Sequence, residues 1–318
     1  MRLPVLLRPL MLAAMIIPLA DAADLVPTPE PGGDTLELWP GGTPGAERVT
    51  VKEQLLERVP AGAVRDRIVQ HTTRPMLTFF APRGTPNGAW LLIVPGGGYQ
   101  RVVIDKEGFE AAEWFARRGF GAAVLRYRLP ADGWAAGADA PVNDAQRAMR
   151  LVRARAPQGS RVGVIGYSAG GHLVARLLTE AALDYAHRDA TDERASLPDF
   201  GVLMYPVILV TGPDAHPGSA QQLVLSGVAP VDLPRYSPDA NVSAKTPPTM
   251  LIHAADDTTV PVANSLRMYE ALHRAGVRSE LHVFDRGGHG FGMRAIDGKD
   301  VAAWPQLVET FALTGSRE

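Results

Sequence analysis

Gly166-Tyr167-Ser168-Ala169-Gly170 joins an apolar run to a segment with helical spacing. A serine hydroxyl is a weak nucleophile on its own and needs a neighbouring base and a position clear of its backbone. A strand that turns directly into a helix provides that position, with the serine at the apex. The turn is so tight that only small residues fit two positions either side, which is where Gly166 and Gly170 stand. The helix that follows adds unpaired N–H groups and the positive end of its dipole. Ser168 is therefore the candidate nucleophile.

An acyl group attacked by serine develops an oxyanion, which needs N–H donors already aimed at it. Pro95-Gly96-Gly97-Gly98-Tyr99 follows an earlier apolar run, and glycines let a backbone approach a ligand closely. Gly97, Gly98 and Ala169 are the expected donors. The loop parallels the HGGG segment of lipases and esterases, with Pro95 in place of the histidine. Tyr99 and Tyr167, beside these donors and the serine, are the candidate substrate-binding residues.

A base and an acid must follow in the chain order Ser, Asp, His. His289 lies in Gly287-Gly288-His289-Gly290, and Asp256-Asp257 precedes Val260-Pro261. Both sets lie just past apolar runs, at the strand ends where open α/β sheets bind ligands. Either aspartate could serve. Asp257, three residues before Val260, is preferred, which leaves Asp256 to cap the following turn. His172 is read as a packing residue. His71, His187, His216, His253, His273 and His282 show no metal-ligand spacing, and neither a dinucleotide fingerprint nor a P-loop is present. No metal and no cofactor are expected.

These residues need a scaffold, and the punctuation describes one. Strands are expected at 76–80, 89–94, 121–127, 161–166, 200–205, 249–253 and 280–284. Helices are expected at 108–118, 141–156, 169–182, 262–275 and 301–313. Strands without polar alternation, separated by helices, give a mostly parallel sheet covered on both faces. Residues 23–50 are a Pro/Gly-rich, extended lead-in to a single domain spanning 23–318. Residues 211–248 are a polar, turn-rich connecting excursion, better suited to a hydroxylated sugar than to a fatty acid.

Residues 1–22 read as a signal peptide: Arg2 and Arg8, an apolar run over 10–20, then Ala20-Asp21-Ala22. The run is too short to span a bilayer, and no later segment is long enough, so a periplasmic or secreted protein free of the membrane is expected. Cleavage would remove two arginines and one aspartate, moving the formal net charge from −2 to −3. Nothing in that balance favours nucleic acid. With no cysteine in the chain, thiol catalysis and disulfides are excluded.

With these residues in hand, the chain resembles bacterial α/β-hydrolases of the acetyl xylan esterase or esterase/lipase-like type, related to dienelactone hydrolases and feruloyl esterases. Leu38-Trp39-Pro40, Glu107-Gly108, Tyr205-Pro206-Val207, Thr246-Pro247-Pro248 and the segments quoted above carry the resemblance, which spans nearly all of 23–318. It implies the α/β-hydrolase fold, a triad of Ser168, Asp257 and His289, and deacetylation of plant cell-wall carbohydrate. A small ester remains an alternative substrate. A serine peptidase or a non-catalytic carbohydrate-binding homologue would share the scaffold. A xylanase would need a carboxylate pair flanking the sugar bond, and the residues offer a serine constellation instead.

Overall fold

The computed structural model describes residues 34–180, 185–294 and 296–314. The signal-peptide segment 1–22 and the first part of the lead-in lie outside these residues. The strands are β1 (Asp34–Glu37), β2 (Gln54–Glu57), β3 (Arg67–Gln70), β4 (Met76–Phe80), β5 (Ala89–Val94) and β6 (Val102–Val103), then β7 (Gly121–Arg126), β8 (Arg161–Tyr167), β9 (Phe200–Met204), β10 (Thr249–Ala254) and β11 (Ser279–Phe284). The helices are α1 (Glu110–Ala116), α2 (Ala140–Arg155), α3 (Ala169–Thr179), α4 (Pro217–Leu225), α5 (Ala263–Arg274) and α6 (Trp304–Thr314).

Eight strands form the main sheet in the order β1-β4-β7-β5-β8-β9-β10-β11. From β7 to β11 every neighbouring pair is parallel, while β1 and β4 close one edge antiparallel. This is the mostly parallel, two-face-covered sheet expected from the sequence. Every residue of β5 and β9 is buried, as strands packed by helices on both sides must be. Successive residues of β8 show the two faces directly. A Cβ on Gly166 would press on Val174 of α3, whereas Tyr167 packs edge-on to Trp304 of α6 at 6.1 Å. Phe115 of α1 packs against the same Trp304 at 6.2 Å, which puts α1 and α6 together on one face.

Two departures from the sequence reading bear on the site. The lead-in is not merely extended: β1 joins the sheet, and Leu38 and Trp39 are buried. Trp39 Nε1–H donates to Asp144 Oδ1 (2.7 Å), a carboxylate that also takes the buried Arg128. Breaking a buried pair of this kind costs about 3–5 kcal/mol. A second, three-stranded antiparallel sheet, β2-β3-β6, was not foreseen, because strands of two to four residues leave no periodicity to read.

The excursion 211–248 also differs from expectation. It carries α4 and covers its own apolar cluster, with Leu223, Leu233 and Tyr236 packed on Val207 and Val260. Leu225 and Val231 face outward, at 61% and 84% exposure, so its surface is not uniformly polar. Pro217 at the first turn of α4 and His216 just before it are the start signals that its Pro/Gly-rich composition obscured.

Candidate active site

Ser168 stands at the end of β8 with φ 51° and ψ −117°, outside the regions an L-residue ordinarily occupies. Such a conformation costs on the order of 1–3 kcal/mol and persists because the surroundings fix it. Ser168 N–H donates to Met204 O at 2.9 Å, and its carbonyl accepts from Val207 N–H at 3.0 Å and His172 N–H at 3.1 Å. The flanking glycines are sterically required. A Cβ at 166 would lie 2.4 Å from Gly170 O, and one at 170 would lie 2.3 Å from Val94 O.

His289 reaches this serine from the loop after β11. Its Nε2 lies 2.9 Å from Ser168 Oγ, and its Nδ1 lies 2.7 Å from Asp257 Oδ2. A carboxylate only accepts, so Nδ1 carries the proton and Nε2 is free to accept from the serine hydroxyl. Asp257 is buried. Its Oδ1 accepts from Thr259 N–H and Val260 N–H, each at 2.9 Å. Burial pushes its carboxyl up, but hydrogen bonds from His253 and His289 outweigh that and hold it well below the usual carboxylate range.

The structure separates the two aspartates that the sequence left in competition. Asp256 does not cap the turn after it; Asp257 does. Asp256 reaches across instead and accepts from Gly287 N–H (2.8 Å) and Gly288 N–H (2.7 Å), tying down the loop that presents His289. The Gly288 bond leads in lowering its carboxyl pKa. Tyr205 braces the other side, its ring edge-on to His289 at 5.1 Å and its hydroxyl accepting from Gly292 N–H.

The glycine loop completes the arrangement. Gly97 and Gly98 take φ values of 132° and 66°, open only to glycine without strain. Among the described residues neither N–H has an acceptor, and that of Ala169 is at the first helical position, where no intrahelical partner exists. The loop is anchored through Gly96 N–H, which donates to Glu107 Oε2 at 2.9 Å, while Glu107 Oε1 accepts from Tyr205 O–H at 3.0 Å. A cavity of about 360 Å³ opens here, lined by Gly97, Gly98, Ser168, His216, Thr259 and His289 among others.

Tyr99 and Tyr167 do not stand where the sequence reading put them. Both rings are buried in the core, 2% and 0% exposed, and neither lines the cavity. Tyr99 has φ 61°, which turns its side chain inward, where its O–H meets His172 Nδ1 at 2.8 Å. Tyr167 alternates away from the serine onto the α6 face. His172 is the packing residue expected. Its Nε2–H donates to Tyr236 O at 2.8 Å, so Nδ1 must accept from Tyr99. Burial pushes its pKa down to about 3, so the ring stays neutral and clasps the glycine loop, α3 and the excursion together.

Two further histidines escaped the sequence reading. His253 is fully buried behind the acid, with Nε2 at 3.0 Å from Val260 O and 3.3 Å from Asp257 Oδ2, and Nδ1 at 2.8 Å from Ser265 Oγ. Its position as the fifth residue of β10, four before Asp257, was the available signal. His216 lines the cavity together with His289, its Nδ1 accepting from Ser219 N–H at the start of α4. Burial and then the proximity of His289 lower its pKa.

The profile of the BD-FAE family matches residues 79–272. An acetylxylan esterase of Xylanibacter ruminicola is 32% identical over 227 residues, covering 69% of this chain and 44% of that protein. An endo-1,4-beta-xylanase B of Butyrivibrio fibrisolvens is 32% identical over 63% of this chain and 32% of its own length. The chain thus spans less than half the length of these curated relatives. Among solved structures, an acetyl ester-xyloside bifunctional hydrolase from Caldicellulosiruptor lactoaceticus aligns with a TM-score of 0.71 at 32% identity, covering 92% of this chain and 99% of that one. A thermophilic esterase from Thermogutta terrifontis aligns at 0.60 with 24% identity, a likeness of fold. The α/β-hydrolase fold is common to them and to this chain.

Proposed function

This chain belongs to the BD-FAE family, and from that premise we propose that it is a serine carboxylic-ester hydrolase removing acetyl groups from xylan-type carbohydrate. The observation that carries the reading is the hydrogen-bonded chain from Ser168 Oγ through His289 to Asp257, with the unclaimed N–H groups of the glycine loop lining the same cavity as the serine. In the first half-reaction Ser168 Oγ attacks the ester carbonyl and its proton passes to His289 Nε2. Asp257 stabilises the imidazolium that forms. The carbonyl oxygen becomes an oxyanion beside Gly97, Gly98 and Ala169, each such donor being worth on the order of 10²–10³ in rate. The C–O bond to the sugar then breaks, and His289 returns the proton to the departing sugar oxygen. Water repeats the sequence on the acyl-enzyme, releasing acetate and restoring the serine.

The small cavity supports a short acyl group. Each acyl methylene that found an apolar slot would add about 0.8 kcal/mol, roughly fourfold in binding. Cleavage of the sugar chain itself is not part of the proposal. Glu107 is held by Gly96 N–H and Tyr205 O–H, and Asp257 by His289, so both carboxylates nearest the serine are already engaged. The signal segment 1–22 supports export to the periplasm or beyond, where polymeric sugars are met.

The test combines kcat/KM for 4-nitrophenyl acetate, butyrate and octanoate with acetate release from acetylated xylan. Acetate is expected first in both, and Ser168→Ala should lose on the order of 10⁴-fold or more with an unchanged Tm. A preference for octanoate with no acetate released from any acetylated sugar, or an active Ser168→Ala protein, would overturn the proposal.

A further inference from the structure

Two cations at the cavity have no ion-pair partner within contact distance. Arg101 and Lys106 both line it, both are half-buried, and among the described residues neither side chain has an ion pair or a hydrogen-bond partner. The Nε of Arg101 is shut off from solvent as well as unpartnered, so any ligand contact falls to the terminal nitrogens of its guanidinium. Keeping a donor dry and unpaired costs free energy, about 1–3 kcal/mol for a neutral group and more for a charged one. Arg58, the third cation on this wall, is different, because it already pairs with Asp66 at 2.7 Å.

The fold holds both residues in place rather than leaving them to seek partners. Arg101 immediately precedes β6, which is fixed to β3 through Val69↔Val102 and Ile68↔Val103. Lys106 follows Asp105, whose carboxylate takes the buried Arg67 at both oxygens, at 2.9 and 2.7 Å, and Arg67 N–H at 2.7 Å. The small second sheet, which has no other evident task at the site, therefore anchors the segment bearing both cations. Glu107 is the carboxylate nearest to them; Gly96 N–H and Tyr205 O–H hold its two oxygens in place, but as neutral donors they do not offset its charge, so two cations face one anion on this wall.

The side of the serine on which they stand decides what they meet. His289 must return its proton to the departing sugar oxygen, so the sugar lies over the His289 loop. Lys106 Nζ is on that side, 3.8 Å from where a Cβ on Gly290 would be. Arg101 lies under the glycine loop, its Cγ 2.9 Å from where a Cβ on Gly97 would be. We propose that Arg101 and Lys106 form an anion subsite for the leaving group, and that the preferred substrate is an acylated sugar carrying a carboxylate near the esterified hydroxyl, that is, an acidic, uronate-bearing chain. This rests on the hydrolase reading above and narrows its substrate class. A carboxylate that reaches either cation makes charge-assisted hydrogen bonds to it, which neutral xylose units cannot.

The experiment uses one acetylated methyl glucuronoside in two forms, the free carboxylate and its primary amide. The readout is the ratio of kcat/KM for acetate release, carboxylate over amide, within each protein, so that any general loss in a variant cancels. The wild-type ratio is expected to be about tenfold at low salt and to shrink as ionic strength rises. It should fall to about one in the Arg101→Gln/Lys106→Gln double variant, with Arg101→Lys retaining part of it. A wild-type ratio of one, or an unchanged ratio in the double variant, would overturn the subsite. Calorimetric binding of the same pair to the Ser168→Ala protein separates this from the hydrolase reading. Tighter binding of the carboxylate upholds the subsite even if no acetate were released, an outcome that would sink the hydrolase reading alone. Equal binding of the two forms overturns the subsite whatever the activity.

Discussion

Replacing Asp257 by asparagine should cost far more than its loss of one charge implies, and the reason lies in which oxygen meets which donor. Oδ1 accepts from Thr259 and Val260 N–H, whereas Oδ2 faces His289 Nδ1 at 2.7 Å and His253 Nε2 at 3.3 Å. Asparagine keeps one acceptor oxygen and gains an NH₂ group. The two backbone N–H groups cannot move and claim the oxygen, so the NH₂ group turns toward the two histidines. His253 must stay a donor at Nε2, since that nitrogen also serves Val260 O at 3.0 Å. His289 is free to change. It shifts its proton to Nε2 and accepts at Nδ1, and Nε2–H then faces Ser168 as a donor that cannot take the serine proton. A wrong tautomer of this kind lowers kcat by about 10⁴, equivalent to about 5.4 kcal/mol of barrier at 1.36 kcal/mol per decade. Asp256→Asn keeps an oxygen for Gly287 and Gly288 N–H and should stay within about tenfold of wild type. The assay is 4-nitrophenyl acetate turnover at saturating substrate, with circular dichroism to show that each variant is folded. Asp257→Asn activity above a tenth of wild type, or a collapse confined to Asp256→Asn, would refute the reasoning.

Gly170→Ala should destabilise the fold by about 3 kcal/mol, the upper end for overpacking, because its Cβ would meet the backbone oxygens Val94 O and Pro95 O at 2.3 and 2.4 Å. A urea midpoint equal to that of wild type would contradict this. The buried His172 has a folded pKa of about 3 against 6.5 ordinarily, so between those values the unfolded chain binds a proton that the folded one refuses. Stability should therefore fall as pH drops through that window, with His172 contributing up to about 1.4 kcal/mol per pH unit. The ΔG profile of His172→Gln between pH 4 and 6 should be flatter than wild type by that slope. Parallel profiles would show that the ring is not held neutral.

The elements that carry the site were legible because their causes are local. An apolar run ended by glycines makes β8 and its turn wherever it is placed, and the clash of any Cβ at 166 or 170 with the nearby backbone follows from the tightness of that turn. The same holds for β5 with its glycine loop and for the Ser, Asp, His order along strands of one sheet. The choice between Asp256 and Asp257 was not local. Each sits over thirty residues from its partner in the 287–289 loop, and the spacing to Val260 ranked them without showing what Asp256 does. Tyr99 was misplaced because adjacency to a donor loop does not specify φ, and a left-handed residue sends its ring into the core. The excursion hid α4 and His216 because its fold is held by a few apolar contacts with Val207 and Val260, residues distant in sequence and silent in local periodicity. Local sterics and hydrophobic runs set by neighbouring residues determined the sheet, the elbow and the strand ends. Tertiary packing alone decided which aspartate faces the histidine, which tyrosines are buried, and that Arg101 and Lys106 both line the cavity, since those depend on contacts between segments that the order of residues does not reveal.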